Sequence, residues 1–455
     1  MFHRNIYQYL NEWKNRKGRK PLLLRGARQV GKTSAVVEFG KKHFRNSICL
    51  NLEKADDSRL FSEVLKIPDL VQLIELHSGY KVVEGETLLF IDEIQNSTVA
   101  MTQLRYFFEE IPQLHVIAAG SLLEVKMIRE GFSIPVGRVE YLYLHPVTFD
   151  EFLYALGDEQ TFDFLRKIHI TSPIPKATHG LLLKKFFEYV IVGGMPEAVA
   201  KYANGASFID LNPVYESLLK GFRDDVFKYS SRAQVAYIQF IIAQSPLYAG
   251  TRIKYEKFGG SSYKSREMRT AFDTLEKAML LRRVYASSSV KKPVTANFKK
   301  SPKLIFLDMG LVNYSLGVRE DILNTNELGG TFRGQIAEQV VAQALSAFFV
   351  TREPELMYWY RESSGSTAEV DYLRIHKEHL VPIEVKSGKI GTLRSLHQFM
   401  HASGHKLALR VYSGNMDVRN VELENKKTYT LLSLPFYLLF RLDEMVEEVL
   451  SARAT

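Results

Sequence analysis

The chain of 455 residues has a single cysteine, Cys49. One thiol rules out an internal disulfide framework and any metal site built from several cysteines. Its place in the apolar run Ile48-Cys49-Leu50 predicts a buried cysteine on a strand. Long hydrophobic runs are missing too: none approaches the roughly 20 residues that a membrane helix needs. The opening residues, Met-Phe-His-Arg-Asn-Ile, lack the apolar core of a secretory signal. No sign of charge dominates, since 60 Lys and Arg stand against 51 Asp and Glu for a net +9. That balance is compatible with a polyanionic partner and does not require one. The positive residues cluster at Lys14 to Lys20, Lys184-Lys185, Lys291-Lys292, Lys299-Lys300 and Lys426-Lys427. A solvated basic surface accounts for most of these equally well. A cytoplasmic protein without a membrane partner is expected.

What is present is an ordinary globular composition, 46% apolar and 24% charged, over a length that suggests two to four domains. Residues 26 to 33 read Gly-Ala-Arg-Gln-Val-Gly-Lys-Thr. Pro21 to Arg25 before them reads as a short buried strand, and Lys32 to His43 after them as a helix. A phosphate-binding P-loop needs that context. Gly26 and Gly31 let the backbone curl so that N–H groups of Ala27, Arg28, Gln29, Val30 and Ser34 can face phosphate oxygens. Lys32 reaches the β- and γ-phosphates, and the Thr33 hydroxyl binds Mg²⁺.

An apolar strand, Thr87 to Asp92, ends in two acids, Asp92 and Glu93. In an open parallel sheet such an end lies beside the P-loop. Asp92 is expected to hold Mg²⁺ through water, and Glu93 to orient the attacking water. A helix over Thr98 to Glu110 leads to a third strand, His115 to Gly120, ending at Ser121. This strand is expected between the P-loop strand and the acidic one. Ser121 then either senses the γ-phosphate or caps a helix. An arginine should stabilise the transferring phosphoryl group. Arg138 is favoured over Arg105, because Gly137 precedes it and the strand Val139 to Leu144 follows.

Those motifs together resemble the bacterial and archaeal AAA-type ATPases that carry a C-terminal domain of unknown function. The residues are Gly26 to Thr33, Phe90-Ile-Asp92-Glu93-Ile-Gln95, Ala119-Gly120-Ser121, and Gly137-Arg138 leading into Leu144 to Phe152. Gly193-Gly194-Met195-Pro196-Glu197 and Leu304 to Leu311 resemble further signatures of that family. The resemblance spans roughly Phe2 to Gln398 and implies an ATP-site lid in the helical stretch from 150 to 250, which Thr171 to Pro175 breaks.

Farther on, Arg252 to Leu280 predicts two short helices separated by Gly259 to Ser262. The second, Ser265 to Met279, places Met268, Phe272, Leu275 and Met279 on one face. Strands Leu281 to Tyr285 and Lys303 to Asp308 follow around a basic turn. Helix–turn–helix then hairpin is a winged-helix pattern. Lys264, Arg266 and Arg269 would face outward, and Lys291, Lys292, Lys299 and Lys300 would sit on the wing. Nucleic-acid contact and a packing role both fit.

The last region carries Glu369-Val-Asp371 on one strand and Glu384-Val-Lys386 on the next, with a helix from Leu393 to His401. An acid followed by acid-x-lysine is the arrangement of PD-(D/E)XK restriction-endonuclease-like domains. Asp371 and Glu384 can share Mg²⁺ or Mn²⁺. Glu384 and Lys386, two apart, face one side, so Lys386 can orient water. Glu124-Val-Lys126 repeats the tripeptide where a helix is expected. Glu338 falls inside the apolar arc of a helix over Gly334 to Phe349, a costly position unless a charge answers it.

The expected fold is α/β: a P-loop ATPase core over 1–155, a helical lid over 156–229, a winged helix over 230–320 and a nuclease-like domain over 321–455. The expected function is ATP hydrolysis with Mg²⁺, joined to metal-dependent cleavage of nucleic acid, DNA favoured over RNA. A nucleotide-dependent switch whose last domain only binds a partner is the alternative. A homo-oligomer stays open.

Overall fold

The computed structural model describes residues 3–121, 123, 134–135, 137–319, 322, 333–363, 366–389, 391–424 and 426–454. Glu124 and Lys126 lie outside them. Five strands form the first sheet: β1 (Leu22–Arg25), β2 (Asn46–Asn51), β3 (Thr87–Asp92), β4 (His115–Gly120) and β5 (Glu140–Tyr143). All are parallel, in the order β2-β3-β4-β1-β5. β4 therefore pairs with both β1 and β3, as expected. Every residue of β1, β3 and β4 is buried. Helices on both faces of a parallel sheet demand such uniformly apolar strands. Cys49 corrects an expectation. It lies on a strand but is exposed, while Ile48 and Leu50 point inward. β2 is the edge strand, and alternation decides which of its side chains face the core.

Helices follow at Phe149–Ala155, Glu159–Arg166, Lys176–Val192, Pro196–Ala203 and Asn212–Asp224. The chain breaks between the second and third, where Thr171 to Pro175 predicts it. The helix Arg232–Gln244 packs on the helix Ser265–Lys277. The first of the two short helices expected after Arg252 is not there. A two-residue strand β6 (Thr251–Arg252) and a single tight turn, Phe258–Gly260, take its place. Lys257, Gly259 and Gly260 all have positive φ (56°, 60° and 77°), which no α-helix accommodates. Met268, Phe272 and Leu275 are buried as expected, whereas Met279 falls past the helix end at φ 59°.

The second sheet has nine strands. It comprises β6, β7 (Leu281–Ser287), β8 (Lys303–Phe306), β9 (Met357–Ser363), β10 (Ser366–His376), β11 (His379–Lys386), β12 (Leu407–Tyr412), β13 (Asp417–Glu422) and β14 (Thr428–Pro435). Their order is β13-β14-β12-β11-β10-β9-β7-β8-β6. The sheet thus runs across the expected boundary at 320/321. β7 outreaches β8, and its last residues pair in parallel with β9 through Tyr285, Ala286 and Ser287. An open edge would be a liability, and β9 covers it. The helix Arg333–Ala347 packs on β8 and β11, and the helix Arg394–Ser403 packs on β10 and β11. Among the described residues no helix is long and apolar enough to cross a membrane.

Candidate functional site

The P-loop joins β1 to the helix Lys32–His43, with Gln29 at φ 64° and Gly31 at φ 95°. Both positive values turn the chain tightly enough to open the helix N-terminus, where orphan N–H groups favour anions. Gly26 packs so closely under Leu144 O that a Cβ there would collide with it. Lys32 is buried and donates to Gly26 O at 3.0 Å and Ala27 O at 2.9 Å. Burial pushes its ammonium down to about 8, against the pull of Glu93 and Asp92. The Thr33 hydroxyl donates to Asp92 Oδ2 at 2.7 Å. Burial, with Glu93 beside it, raises the Asp92 carboxyl. Thr33 and Asp92 thus stand together where a hard cation and its waters fit. Thr33 and Ser34 are exposed at the helix start.

Glu93 follows at φ 52°, and the Gln95 side-chain amide donates to its carboxylate. A Cβ on Gly120 would strike the Gln95 carbonyl oxygen. Gln95 therefore wedges between Glu93 and the end of β4, where Ser121 is buried. Sequence reasoning quoted Gln95 without giving it a task. Its spacing from Glu93 was the available signal. Arg28 pairs with Asp225, tying the P-loop to the middle helices.

Arg138 lies elsewhere. It precedes β5, whose first residue pairs with Leu22 at the start of β1, so it sits at the sheet edge opposite the P-loop. Its side chain, 43% exposed, bridges Glu109 at 2.7 Å, and Arg105 shares that acid at 3.1 Å. Neither arginine meets the P-loop of its own chain, because parallel strands put their two ends a full strand length apart.

The second site gathers acids from three elements. β10 carries a bulge: Val370 pairs with Trp359 and Leu373 with Met357, so three steps on β10 match two on β9. The extra residue lets Asp371 and Tyr372 both face the helix Arg333–Ala347. The Tyr372 hydroxyl donates to Glu338 O at 2.9 Å. Asp371 Oδ2 accepts the Val385 N–H at 2.8 Å, which holds it beside β11. Glu384 Oε1 accepts from Lys386 Nζ at 2.6 Å, and Glu384 Oε2 is buried with no hydrogen-bond partner among the described residues. Burial, then the charge of Asp371, pushes Glu384 up to about 7.

Glu338, Glu369 and Asp371 bring carboxylate oxygens within 4.8 Å of one another. Lys303 stands at their centre. Its Nζ lies 2.7 Å from Glu338, 2.8 Å from Glu369 and 3.2 Å from Asp371. Burial works against its charge, but Asp371, Glu338 and Glu369 together raise the ammonium well above its ordinary range. Glu338 is pushed up to about 8 by burial, with Lys303 opposing. The four predicted residues Glu338, Asp371, Glu384 and Lys386 thus come together, and Glu369 and Lys303 join them unforeseen. Glu369 was legible, since it sits two residues before Asp371 and shares its face. Nothing local marks Lys303, which simply opens an apolar strand. At the rim, Arg252 reaches Glu369 at 3.4 Å and stacks on Tyr360 at 4.9 Å, with Lys300 over the same ring at 5.2 Å.

The two sites are joined by packed contacts. Asp308, just past β8, accepts N–H groups of Gly194 (2.6 Å) and Gly310 (2.9 Å) and the Gln343 amide (3.2 Å). Gly194 in turn leaves no room for a Cβ under Val147 O, and Pro196 packs 3.5 Å from the Cβ position of Gly31. Arg4 is buried; it donates to Val30 O (3.1 Å), His145 O (2.6 Å) and Glu151 (3.0 Å). His145 meets Phe349 O at 3.2 Å, and Val350 O accepts from Tyr143 N at 2.7 Å. The predicted signatures at 144–152, 193–197 and 304–311 therefore form one junction behind the P-loop.

A parallel sheet with this strand order, a P-loop at the end of β1 and paired acids at the end of β3 make a nucleotide-binding domain of the P-loop type. Residues 18–153 match the family described as an AAA domain. Residues 183–322 and 333–437 match two families described as domains of unknown function, DUF8612 and DUF4143. Among solved structures, the Thermotoga maritima RuvB Holliday junction branch migration motor is similar at 15% identity, covering 66% of this chain and 93% of that one, with a TM-score of 0.28. The Aeropyrum pernix ORC1 protein in complex with DNA is similar at 12% identity over 71% of this chain and 94% of that one, at 0.28. C. elegans PCH-2 is similar at 15% over 48% and 57%, at 0.22. No curated protein matches the chain.

Proposed function

We propose that this chain hydrolyses ATP with Mg²⁺ and uses the cycle to engage nucleic acid, DNA before RNA, at a nuclease-like C-terminal site. The observation that carries the first part is the Thr33–Asp92 contact of 2.7 Å beside a buried Lys32. When bound, Mg²⁺ would be held by Thr33 and, through water, by Asp92, and would neutralise charge on the transferring phosphoryl group. Residues 26 to 34 cradle the phosphates with backbone N–H groups, and Lys32 turns from its loop carbonyls to the β- and γ-oxygens. Glu93, held by Gln95, orients the water. Ser121 stands ready to hydrogen-bond the γ-phosphate. Arg138 is far from its own P-loop and paired with Glu109, so it would serve an ATP site only across an interface in a homo-oligomer.

The C-terminal part is read as a PD-(D/E)XK restriction-endonuclease-like domain. Asp371 and Glu384, with the buried unpartnered Glu384 Oε2, suit Mg²⁺ or Mn²⁺. Lys386 would hold water at the phosphorus. Exposed Lys264, just before the helix Ser265–Lys277, and Arg266 and Arg269 on it fit phosphate contact in a winged-helix arrangement. So do Lys291 and Lys299, while Lys292 donates to Lys377 O. The proposed units are the ATPase core 1–155, the lid 156–229, and a winged helix 230–320 and nuclease-like domain 321–455 that share one nine-stranded sheet, in a cytoplasmic setting.

One observation favours a second reading, a switch that binds without cutting: an ammonium fills the centre of the acids. The test is a cleavage screen of plasmid, linear and single-stranded DNA and of RNA with Mg²⁺ or Mn²⁺, with and without ATP. Cleavage lost in Asp371→Ala supports the nuclease. No cleavage by the unaltered chain with either metal leaves the switch.

A further inference from the structure

We propose that Lys303 is a resident cation of the C-terminal site, occupying the position of a divalent ion shared by Glu338, Glu369 and Asp371, so that metal enters there only in exchange for the lysine. The proposal rests on reading these acids as a metal-holding set.

The geometry is specific. Lys303 is 1% exposed; its ammonium donates to Glu338 at 2.7 Å and to Asp371 at 3.2 Å and forms an ion pair with Glu369 at 2.8 Å. A divalent ion sits about 2.0 to 2.6 Å from its oxygen ligands. An ion shared by Glu338, Glu369 and Asp371 must therefore lie within the volume the ammonium fills. The rings of Tyr358 and Tyr372 wall it in, with centroids 5.1 and 5.5 Å from Nζ. Lys303 cannot slide aside within the pocket; it has to withdraw along its own stem. Lys386 is different, since it lies at the edge and, among the described residues, pairs with Glu384.

The charge pattern points the same way. With all four carboxyls ionised, Glu338, Glu369, Asp371 and Glu384 would face Lys303, Lys386 and the rim residue Arg252 with one negative charge in excess, and Glu338 and Glu384 answer with raised proton affinity. Glu384 Oε2, on a residue 6% exposed, is where the shortfall shows as a buried acceptor without a donor. A monovalent ammonium satisfies three acids and leaves the fourth short, whereas a divalent ion in its place supplies the missing charge. Lys303 also belongs to the middle region by sequence. The cation that closes the site thus comes from the strand that ends at the Asp308 junction behind the P-loop.

The test measures Mn²⁺ binding to the full chain by electron paramagnetic resonance, for the unaltered protein, Lys303→Gln and Lys303→Met. Lysine acylation read by peptide mass spectrometry accompanies it. The expected result is at least tenfold tighter Mn²⁺ binding in either variant. Lys303 in the unaltered chain should also be protected from acylation without metal and labelled at saturating Mn²⁺. Equal affinity in all three proteins, or labelling that Mn²⁺ leaves unchanged, overturns the exchange while leaving a metal site intact. No Mn²⁺ binding by any of them overturns both the exchange and the metal-holding reading. If neither variant folds alone, recovery of circular dichroism on refolding with Mn²⁺ supports the proposal, and failure to recover overturns it.

Discussion

The chain builds two sites from the same ingredients, carboxylates and a buried lysine, and disposes the lysine in opposite ways. Beside Asp92 and Glu93, Lys32 turns away and donates to the carbonyls of Gly26 and Ala27. Among Glu338, Glu369 and Asp371, Lys303 sits at the centre. The difference lies in the surroundings. A P-loop curls its backbone and offers spare carbonyl acceptors, so the lysine parks on uncharged groups and the Thr33–Asp92 pair stays open to a cation. Lys303 rises from a fully paired strand between two tyrosine rings, and only the acids can receive it. A lysine next to acids therefore means an open site or a filled one according to the acceptors the backbone supplies.

The largest effects test the assignment of each lysine. Lys32→Ala should lower ATP turnover by about 10³-fold, the scale of losing a preorganised donor to a transferring group. Turnover near that of the unaltered chain would remove the P-loop from one side of the comparison. The link between the sites comes next. Arg4→Ala leaves Glu151, whose side chain is 4% exposed, without its cation and held only by the N–H groups of Asn5 and Thr148, and should cost ~3–5 kcal/mol in urea unfolding. A loss under about 1 kcal/mol would mean that the junction does not bind the regions together. Gly194→Ala forces a methyl against Val147 O and should cost ~1–3 kcal/mol in the same assay.

A pH experiment sharpens the contrast at the ATP site. Lys32 is pushed down to about 8, so above that pH the empty site holds a neutral amine. Nucleotide phosphates need the ammonium, and binding must then take up a proton. ATP affinity, measured by titration calorimetry, should be flat below pH 8 and fall by about tenfold per unit above it. A flat profile to pH 9.5 would show that Lys32 keeps its charge without nucleotide. The smallest effect concerns Arg138. Its partly exposed pair with Glu109 means that Arg138→Ala should leave stability essentially unchanged. A fall in turnover at unchanged ATP affinity would place this arginine at a neighbouring copy's P-loop.

Much was legible where chemistry is local. Gly26 to Thr33, Asp92 and Glu93 declare themselves because a phosphate site is made by consecutive residues on a strand, loop and helix. β4 took its place between β1 and β3 as read, the middle one of the three interior slots that uniformly apolar strands fill. Glu338 was found by the mismatch between an acid and an apolar helix face. Cys49 was misjudged because an apolar triplet does not say which residues of an edge strand face in. The helix expected after Arg252 failed because Lys257, Gly259 and Gly260 adopt positive φ. Arg138 looked apt by its neighbours, yet strand direction carries it to the far edge.

By itself the sequence spelled the P-loop, the acids that end β3 and three of the four acids gathered at the far end, because each belongs to a short-range pattern of residue type and spacing. Only the tertiary structure decided that β7 joins β9, that Asp308 grips Gly194, and that Lys303 fills the acidic centre. Each of those contacts joins residues tens to over a hundred positions apart. Pairing across such distances is chosen by which edges and charges remain unsatisfied once the local elements have formed.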